Sequence, residues 1–391
     1  MKKISICGIS GATDFHSLWT LPQFPLTERF GAYRRDHKDL SFDQELVISL
    51  PTGHVQLRYQ MDPGVLYTPS AYSFRTGASG TARSSTAFFC NFLRSIAKER
   101  KFLSMVDIGG NDLFLAKEIS DCAATRTVID PICSDIDQQV VDGIRVIGRF
   151  VEQVDLSSDI ERPDLVVFRH TLEHIAEPRK LFGQLFQQCS PDCLYVAEVP
   201  CFENLVEAMR FDAIFHQHFQ YYDLAAFRHL LWECGGEYVA HSYNHQGSCG
   251  GALLVAFRRA TAVASKPEID VDARIHWIEK RISAYTQQMA LMGQLLKELP
   301  RPVYGYGAGL MMATLAYHLG TDFSELDCVL DDDPSRDGWE YENVHVTVRH
   351  PSSVDLQPNS SYVITSLENV RPIARRIVGL QPRRVLQPLL A

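Results

Sequence analysis

The 391-residue sequence contains no apolar run approaching the roughly 18–20 residues that a membrane-spanning helix requires. Its N-terminus, Met1-Lys2-Lys3-Ile4-Ser5-Ile6-Cys7, has two lysines but only a very short apolar stretch, too little for a secretory leader. These two absences lead us to expect a cytoplasmic protein with no membrane partner. A basic excess is also missing. The chain has 47 acidic and 38 basic side chains and a net charge of −9, which argues against general nucleic-acid binding because phosphates are neutralised by basic patches. Ten cysteines are scattered without CxxC spacing, Cys189 and Cys193 being the closest pair. Reduced thiols in cores and loops are the expectation.

What is present is an ordinary globular composition, 46% apolar and 22% charged, in a length suited to two or three domains of roughly 100–200 residues each. Residues 1–80 are rich in β-branched and aromatic residues broken by turn formers, which predicts a small β-rich module. A hairpin is expected there, with Pro51-Thr52-Gly53 as its turn. The aromatic stretch holding Tyr67, Tyr72 and Phe74 reads either as a loop packed on its neighbour or as a lid over a ligand.

Residues 81–262 alternate between helix and strand. Strands are expected over 103–108, 126–130, 144–147, 164–168 and 193–199, and helices over 85–99, 112–121, 177–189 and 224–234. Closing strands are expected near 237–242 and 252–257. This alternation predicts an α/β fold with a doubly wound, mostly parallel sheet. Residues 263–300 hold a connecting helix over 271–299, ended by Pro300. Its apolar seam from Val271 to Leu299 repeats in steps of four and three. The seam reads either as packing on its own chain or as a homodimer contact. Residues 301–391 start a second α/β unit at Val303-Tyr304-Gly305-Tyr306-Gly307-Ala308-Gly309, with an acidic strand end at Asp331. That glycine turn either cradles a phosphate or is a tight structural turn.

The stretch Met105-Val106-Asp107-Ile108-Gly109-Gly110-Asn111-Asp112 reads as a buried strand running into a glycine turn, and a second strand ends at Asp130, 21 residues after Gly109. A βαβ unit of this kind holds a nucleoside, with the second acid on the ribose hydroxyls. The turn lacks G-x-G-x-x-G. An acid at the end of the first strand would repel a dinucleotide pyrophosphate but suits the ammonium of S-adenosylmethionine (SAM), so SAM is preferred to NAD.

Two histidine patterns need separate weighing. His170-Thr171-Leu172-Glu173-His174 matches an H-x-x-E-H metalloprotease string, but it follows directly on the strand at 164–168. That places it in a βα loop at the sheet's carboxyl edge, beside the cofactor crevice. His216-Gln217-His218 has metal-like spacing without an evident acidic or thiolate partner.

Val106–Asp112, Phe168–Ile175, Glu198-Val199-Pro200, Phe211–Tyr222, Gly250-Gly251-Ala252 and Tyr304–Ala308, in that order, resemble the nucleotide-sugar C-methyltransferases, which are three-domain, SAM-dependent enzymes acting on deoxysugars in antibiotic and cell-surface glycan pathways. The resemblance implies a central Rossmann-like SAM domain, a zinc-binding N-terminal module and a C-terminal Rossmann-like domain for the substrate's nucleotide. It implies cofactor contacts from Asp107, Gly109, Gly110, Asn111, Asp130, Pro131, His170 and His174, with S-adenosylhomocysteine as product. It places His218 as base, with His216 and Gln217 beside it. Tyr72, Phe74, Phe215, Tyr222, Tyr306, Gly307 and Asp331 are then expected on a small-molecule substrate, a nucleotide-sugar.

The chain departs from the family at four places. Only Cys7 remains of the first zinc pair, with Ser10 at the partner position and Pro51-Thr52-Gly53-His54 where the second pair is expected. No metal is therefore predicted, and the module is expected to be held by packing alone. Leu113 stands where the family's turn ends in glycine. Phe215-His216-Gln217-His218 replaces tyrosine-histidine-glutamate-histidine, and Met311 replaces a lysine. Carbon methylation needs a base, a donor for the enolate oxygen and a dry site. Loss of the phenol and the carboxylate keeps two alternatives open: transfer to oxygen or nitrogen, and a catalytically inactive nucleotide-sugar-binding homologue.

Overall fold

Short apolar runs, buried on both faces, build the first sheet. In the computed structural model, which describes residues 1–27, 30–31, 41–63, 80–160, 162–262 and 265–389, Val106, Val128, Val166, Val167, Val196 and Val255 are all fully buried. Continuous burial of this kind belongs to a largely parallel sheet covered by helices. Tyr67, Tyr72 and Phe74 lie outside the described residues.

The chain divides into two compact units that are discontinuous in sequence. The first comprises Met1–Leu18, Leu46–Leu205 and Gln217–Ile275, and the second Trp19–Glu45, Val206–His216 and His276–Ala391.

The first unit is organised by an eight-stranded sheet. Its strand order across the sheet is Gly236–Asn244, Ala252–Arg259, Leu194–Pro200, Leu165–Arg169, Phe102–Ile108, Ala123–Ile129, Ile144–Ile147 and Val140–Val141. The five strands from Leu194–Pro200 to Ile144–Ile147 run parallel, and those at the two ends are antiparallel. After Phe102–Ile108 the chain first builds outward to Ile144–Ile147, then returns to the other side at Leu165–Arg169. This reversal is the topological switch point, where doubly wound sheets open a ligand crevice beyond their carboxyl ends. Register aligns the ends, with Ile108 facing Ile129 on one side and Phe168 on the other.

Helices Gly80–Ala97, Pro178–Gln188 and Leu224–Cys234 accompany this sheet. The last of these has legible ends. Asp223 caps its first turn by accepting the Ala226 amide, and Gly235 leaves it in the left-handed conformation at φ 73°.

The N-terminal part of this unit shows a correction. Packing is joined by polar contacts: Cys7 Sγ meets Thr52 Oγ1 at 3.7 Å, Gln56 Oε1 accepts the Gly8 amide at 2.9 Å, and His54 Nε2 meets Gln220 Oε1 at 2.8 Å. The residues standing where a second cysteine pair was expected, Thr52 and His54, thus supply hydrogen bonds instead.

The second unit has a parallel five-stranded sheet ordered Val348–Arg349, Cys328–Leu330, Val303–Tyr306, Ser361–Ile364 and Arg384–Leu386. Helix Val271–Lys297 buries Ile278, Ile282, Tyr285, Met289 and Leu296. Tyr285 packs against Trp19 and Phe211. Gly293 allows close approach, since a Cβ there would collide with the Leu319 backbone. Among the described residues no helix is long and apolar enough to cross a membrane.

Candidate active site

The switch-point turn is built from left-handed residues. Gly109, Asn111 and Leu113 have φ of 79°, 47° and 63°. Gly109 has a steric reason: a Cβ there would strike the Thr171 side chain, whose hydroxyl bonds the Ile108 carbonyl at 2.9 Å. At Gly110 a Cβ would stand 2.7 Å from Val128 Cγ1 and 2.9 Å from Asp107 Oδ2. Leu113 keeps the backbone a glycine would take, and its side chain enters the core with Leu115, Ile119 and Val128. The branched side chain therefore fills the sheet's packing layer.

Asp107 is 1% exposed, and among the described residues its Oδ2 has no hydrogen-bond partner. Burial pushes its carboxyl up to about 7; Arg169 counters this, while Asp130 and Asp112 reinforce it. A buried carboxylate with an unused oxygen beside two glycines whose Cβ space is occupied fits an ammonium group. Asp130 accepts the Asn111 amide through Oδ2 and the Ile132 amide through Oδ1, each at 2.9 Å. It thereby staples the two loops and sets a carboxylate at the strand end where a ribose would lie. Pro131 opens the following 3-10 turn, Pro131–Ile136. These two carboxylates, as acceptors, fit the ammonium and the ribose hydroxyls of SAM.

The second loop at the same edge follows Leu165–Arg169. His170 takes a left-handed φ of 50°, and Leu172–His174 form one 3-10 turn. Glu173 is 1% exposed, and among the described residues neither carboxylate oxygen has a bond of good hydrogen-bond geometry. His170 Nδ1 lies 3.3 Å and His174 Nε2 4.0 Å from its Oε1. His174 Nδ1 meets the Gln217 carbonyl at 2.8 Å, and its ring lies edge-on to His218, 4.9 Å away. Burial holds His218 well below the ordinary histidine range, and the fields of His174 and His170 add to this. Burial also lowers His174, with Glu173 and the Gln217 carbonyl pulling the other way. For His170 burial is outweighed by the Glu173 bond and the Glu198 field, so its value rises.

Sequence reasoning missed Glu173 as a site residue: the H-x-x-E-H string was placed beside the cofactor crevice, but only its histidines were taken as contacts. Glu173, His174 and His218 do bring one ligand atom each to within 4.8 Å of one another. It also missed the polar network behind this loop. Buried Glu198 pairs with Arg169, and Ser85 Oγ donates to Glu198 Oε1 at 2.9 Å. Arg169 Nη1 donates to Thr86 at 2.7 Å, and Asn244 donates to Ser85 at 3.2 Å.

Other expected site residues lie elsewhere. His216 belongs to the second unit, whereas Gln217 and His218 belong to the first. Both His216 ring nitrogens are engaged, Nε2 with the Phe24 carbonyl at 3.0 Å and Nδ1 with Gln44 at 3.1 Å. Those bonds give His216 a structural role in the second unit. Phe215 is buried in the second unit. Tyr222 packs among His54 and Phe227, with a buried hydroxyl that has no hydrogen-bond partner among the described residues.

The second sheet's glycine turn is closed on itself. The Gly307 and Ala308 amides bond Leu330 O at 2.7 Å and Asp331 Oδ2 at 2.8 Å. Asp331 also meets Arg336, and Tyr306 donates to Asp332 at 2.7 Å. With those amides taken, the turn's tight-structure reading has the geometric support, and its phosphate reading does not.

Residues 82–241 match the family model described as a methyltransferase domain. The C-methyltransferase NovU of Streptomyces niveus is 31% identical over 98 residues, 25% of this chain and 23% of that protein. The chain thus spans about a quarter of the length of the curated relative it matches. Among solved structures, the N-methyltransferase NodS of Bradyrhizobium japonicum WM9 is 16% identical, with a TM-score of 0.35 over 46% of this chain and 97% of that one. Its complex with S-adenosyl-L-homocysteine gives a TM-score of 0.36 at 16% identity, over 46% of this chain and 88% of that one. The family match, residues 82–241, falls on the same loops that carry Asp107, Asp130 and Glu173, so this stretch is similar to a methyltransferase domain.

Proposed function

We propose that the whole chain methylates a carbon beside a ketone in a nucleotide-linked deoxysugar or a related small molecule. The observation that carries this reading is the buried Asp107 carboxylate at the switch point, whose Oδ2 has no hydrogen-bond partner among the described residues. SAM, when bound, supplies a methyl group on a positively charged sulfur. Asp107 holds the amino-acid ammonium there, Asp130 the ribose, and Gly109 and Gly110 admit the backbone's close approach. His218, kept neutral by its surroundings, removes the acceptor's proton. The buried walls of the His174–His218 cluster keep water from the carbanion. The partial match to a C-methyltransferase supports carbon as the target.

Phe215 and Gln217 cannot ionise, which favours one second reading, transfer to an oxygen or nitrogen whose activation needs a single base. Incubating the protein with SAM and a panel of nucleotide keto-sugars, with products read by mass spectrometry and NMR, separates the two. A new carbon–methyl bond is expected. A methyl ether or methylamine would replace this reading with the second.

A further inference from the structure

The H-x-x-E-H string does not act as a unit in the fold. Its loop turns at His170, which has a φ of 50°, and Leu172–His174 form a single 3-10 turn, so the two histidines never share a helix face. The tight set is instead Glu173, His174 and His218, which bring one ligand atom each to within 4.8 Å of one another. All three belong to the first unit. The acidic partner that His218 lacks in its own stretch of sequence is thus supplied by the fold.

Three further features give this cluster the character of a two-histidine, one-carboxylate metal site. Glu173 is 1% exposed, and among the described residues neither of its oxygens has a hydrogen bond of good geometry. A carboxylate is an acceptor with two oxygens, and both face the task of meeting a cation. His174 is preset as a ligand. Its Nδ1 meets the Gln217 carbonyl at 2.8 Å, and a carbonyl only accepts, so Nε2 keeps the ring's lone pair 4.0 Å from Glu173 Oε1. Metal-binding histidines are oriented by backbone bonds of this type. The spacing is also close. With bonds of about 2.0–2.2 Å the ligand atoms of a tetrahedral ion stand roughly 3.3–3.6 Å apart, so side-chain shifts of about 1 Å close the cluster on it. The His174 side chain is 17% exposed, which leaves an approach.

We infer that Glu173, His174 and His218 bind a divalent transition ion of the zinc class, and that this ion switches methyl transfer off by occupying His218. The regulatory half rests on the base role proposed for His218 above. A neutral imidazole has a single in-plane lone pair. The pair that takes the acceptor's proton is the pair that holds the ion, so metal and catalysis exclude each other. Two imidazoles and one carboxylate select zinc over calcium or magnesium, which take oxygen ligands. Three protein ligands leave the fourth position to water. His170, with Nδ1 3.3 Å from Glu173 Oε1, is an outer neighbour of the site and not a ligand.

The test uses the full chain, stripped with chelator and then dialysed against buffered zinc. Metal analysis should find one equivalent per chain, and cobalt in its place should give the visible bands of a four-coordinate ion. Glu173→Gln and His218→Ala should each weaken zinc by more than the about 10–100-fold that loss of an outer-shell partner costs, whereas His170→Asn should stay within that range. No stoichiometric zinc in the folded wild type, or zinc held undiminished by Glu173→Gln, overturns the site. Zinc lost in His170→Asn but kept in His218→Ala also overturns it, because the ligands are then the histidines of the H-x-x-E-H string. Should Glu173→Gln fail to fold, ring nitrogen NMR of the wild type decides. Zinc must shift His174 and His218 while His54 and His216 stay in place, and an unshifted His218 overturns the site.

With an acceptor in hand, saturating zinc should lower turnover by about 10²-fold or more, the range lost with a general base, and chelator should restore it. Turnover left unchanged or raised by bound zinc overturns the regulatory role. Failure of the methyltransferase reading shows separately, as an absence of SAM binding in chelator-treated protein whose zinc stoichiometry is still measurable.

Discussion

The Gln217 carbonyl accepts the Nδ1 proton of His174 at 2.8 Å. A carbonyl can only accept, so this bond fixes the His174 tautomer and turns its Nε2 toward Glu173. The same peptide segment carries His218, whose ring meets His174 edge-on. The cluster is thus oriented by main chain, which suits a base that must approach a substrate repeatedly in one geometry. Replacing His218 with alanine should lower turnover by about 10²-fold or more, the range of a general base, with SAM affinity retained. Product formation and calorimetry measure the two separately, and unchanged turnover would remove His218 from the base role.

Asp107 should make apo stability depend on pH in an unusual direction. Its carboxyl is raised to about 7 in the folded state from an ordinary 3.8. The folded chain therefore binds more protons than the unfolded one between those values, and stability falls as pH rises from about 4 to about 7. The loss from this one group is on the order of 4 kcal/mol. Denaturant titrations of wild type and Asp107→Asn should show that the slope is largely absent in the variant. SAM binding near pH 6 should release a proton from Asp107, detectable by calorimetry in buffers of different ionisation enthalpy.

Leu113 gives an expectation opposed to a pocket-blocking role. Changing it to glycine relieves a left-handed φ worth roughly 1–2 kcal/mol but removes a buried leucine worth roughly 2–5 kcal/mol. The net should be a loss of about 1–3 kcal/mol in urea melts, with SAM affinity within about twofold of wild type. A large gain in affinity would show that the side chain trims the cofactor pocket.

His216→Ala should destabilise the chain by roughly 1–3 kcal/mol, because the buried Phe24 carbonyl and Gln44 amide lose their partner. The SAM affinity of the folded protein should not change. Differential scanning calorimetry with and without SAM checks both parts, and a stable His216→Ala protein that has lost SAM binding would contradict the structural assignment.

The central sheet was legible because its strands are short apolar runs between turn formers. The strand expected over 144–147 matches Ile144–Ile147 residue for residue. Asp107 and Gly109 were legible as a strand-end acid and a turn glycine. The helix expected over 112–121 shortens to Phe114–Glu118, because the left-handed residues before it delay its start. The direction of the Leu113 side chain was not legible, since it depends on packing contacts far away in sequence. Glu173 was hidden for a similar reason: the missing donors around its carboxylate are a property of the folded loop. The separate placement of His216 and His218 shows the same limit, as two neighbours in sequence fall in different compact units.

The most direct test of the central claim is a calorimetric titration of the full chain with SAM and with S-adenosylhomocysteine. One-to-one binding of both is expected, weakened at least tenfold in Asp107→Asn. Binding of neither ligand by the folded wild-type protein would contradict the account.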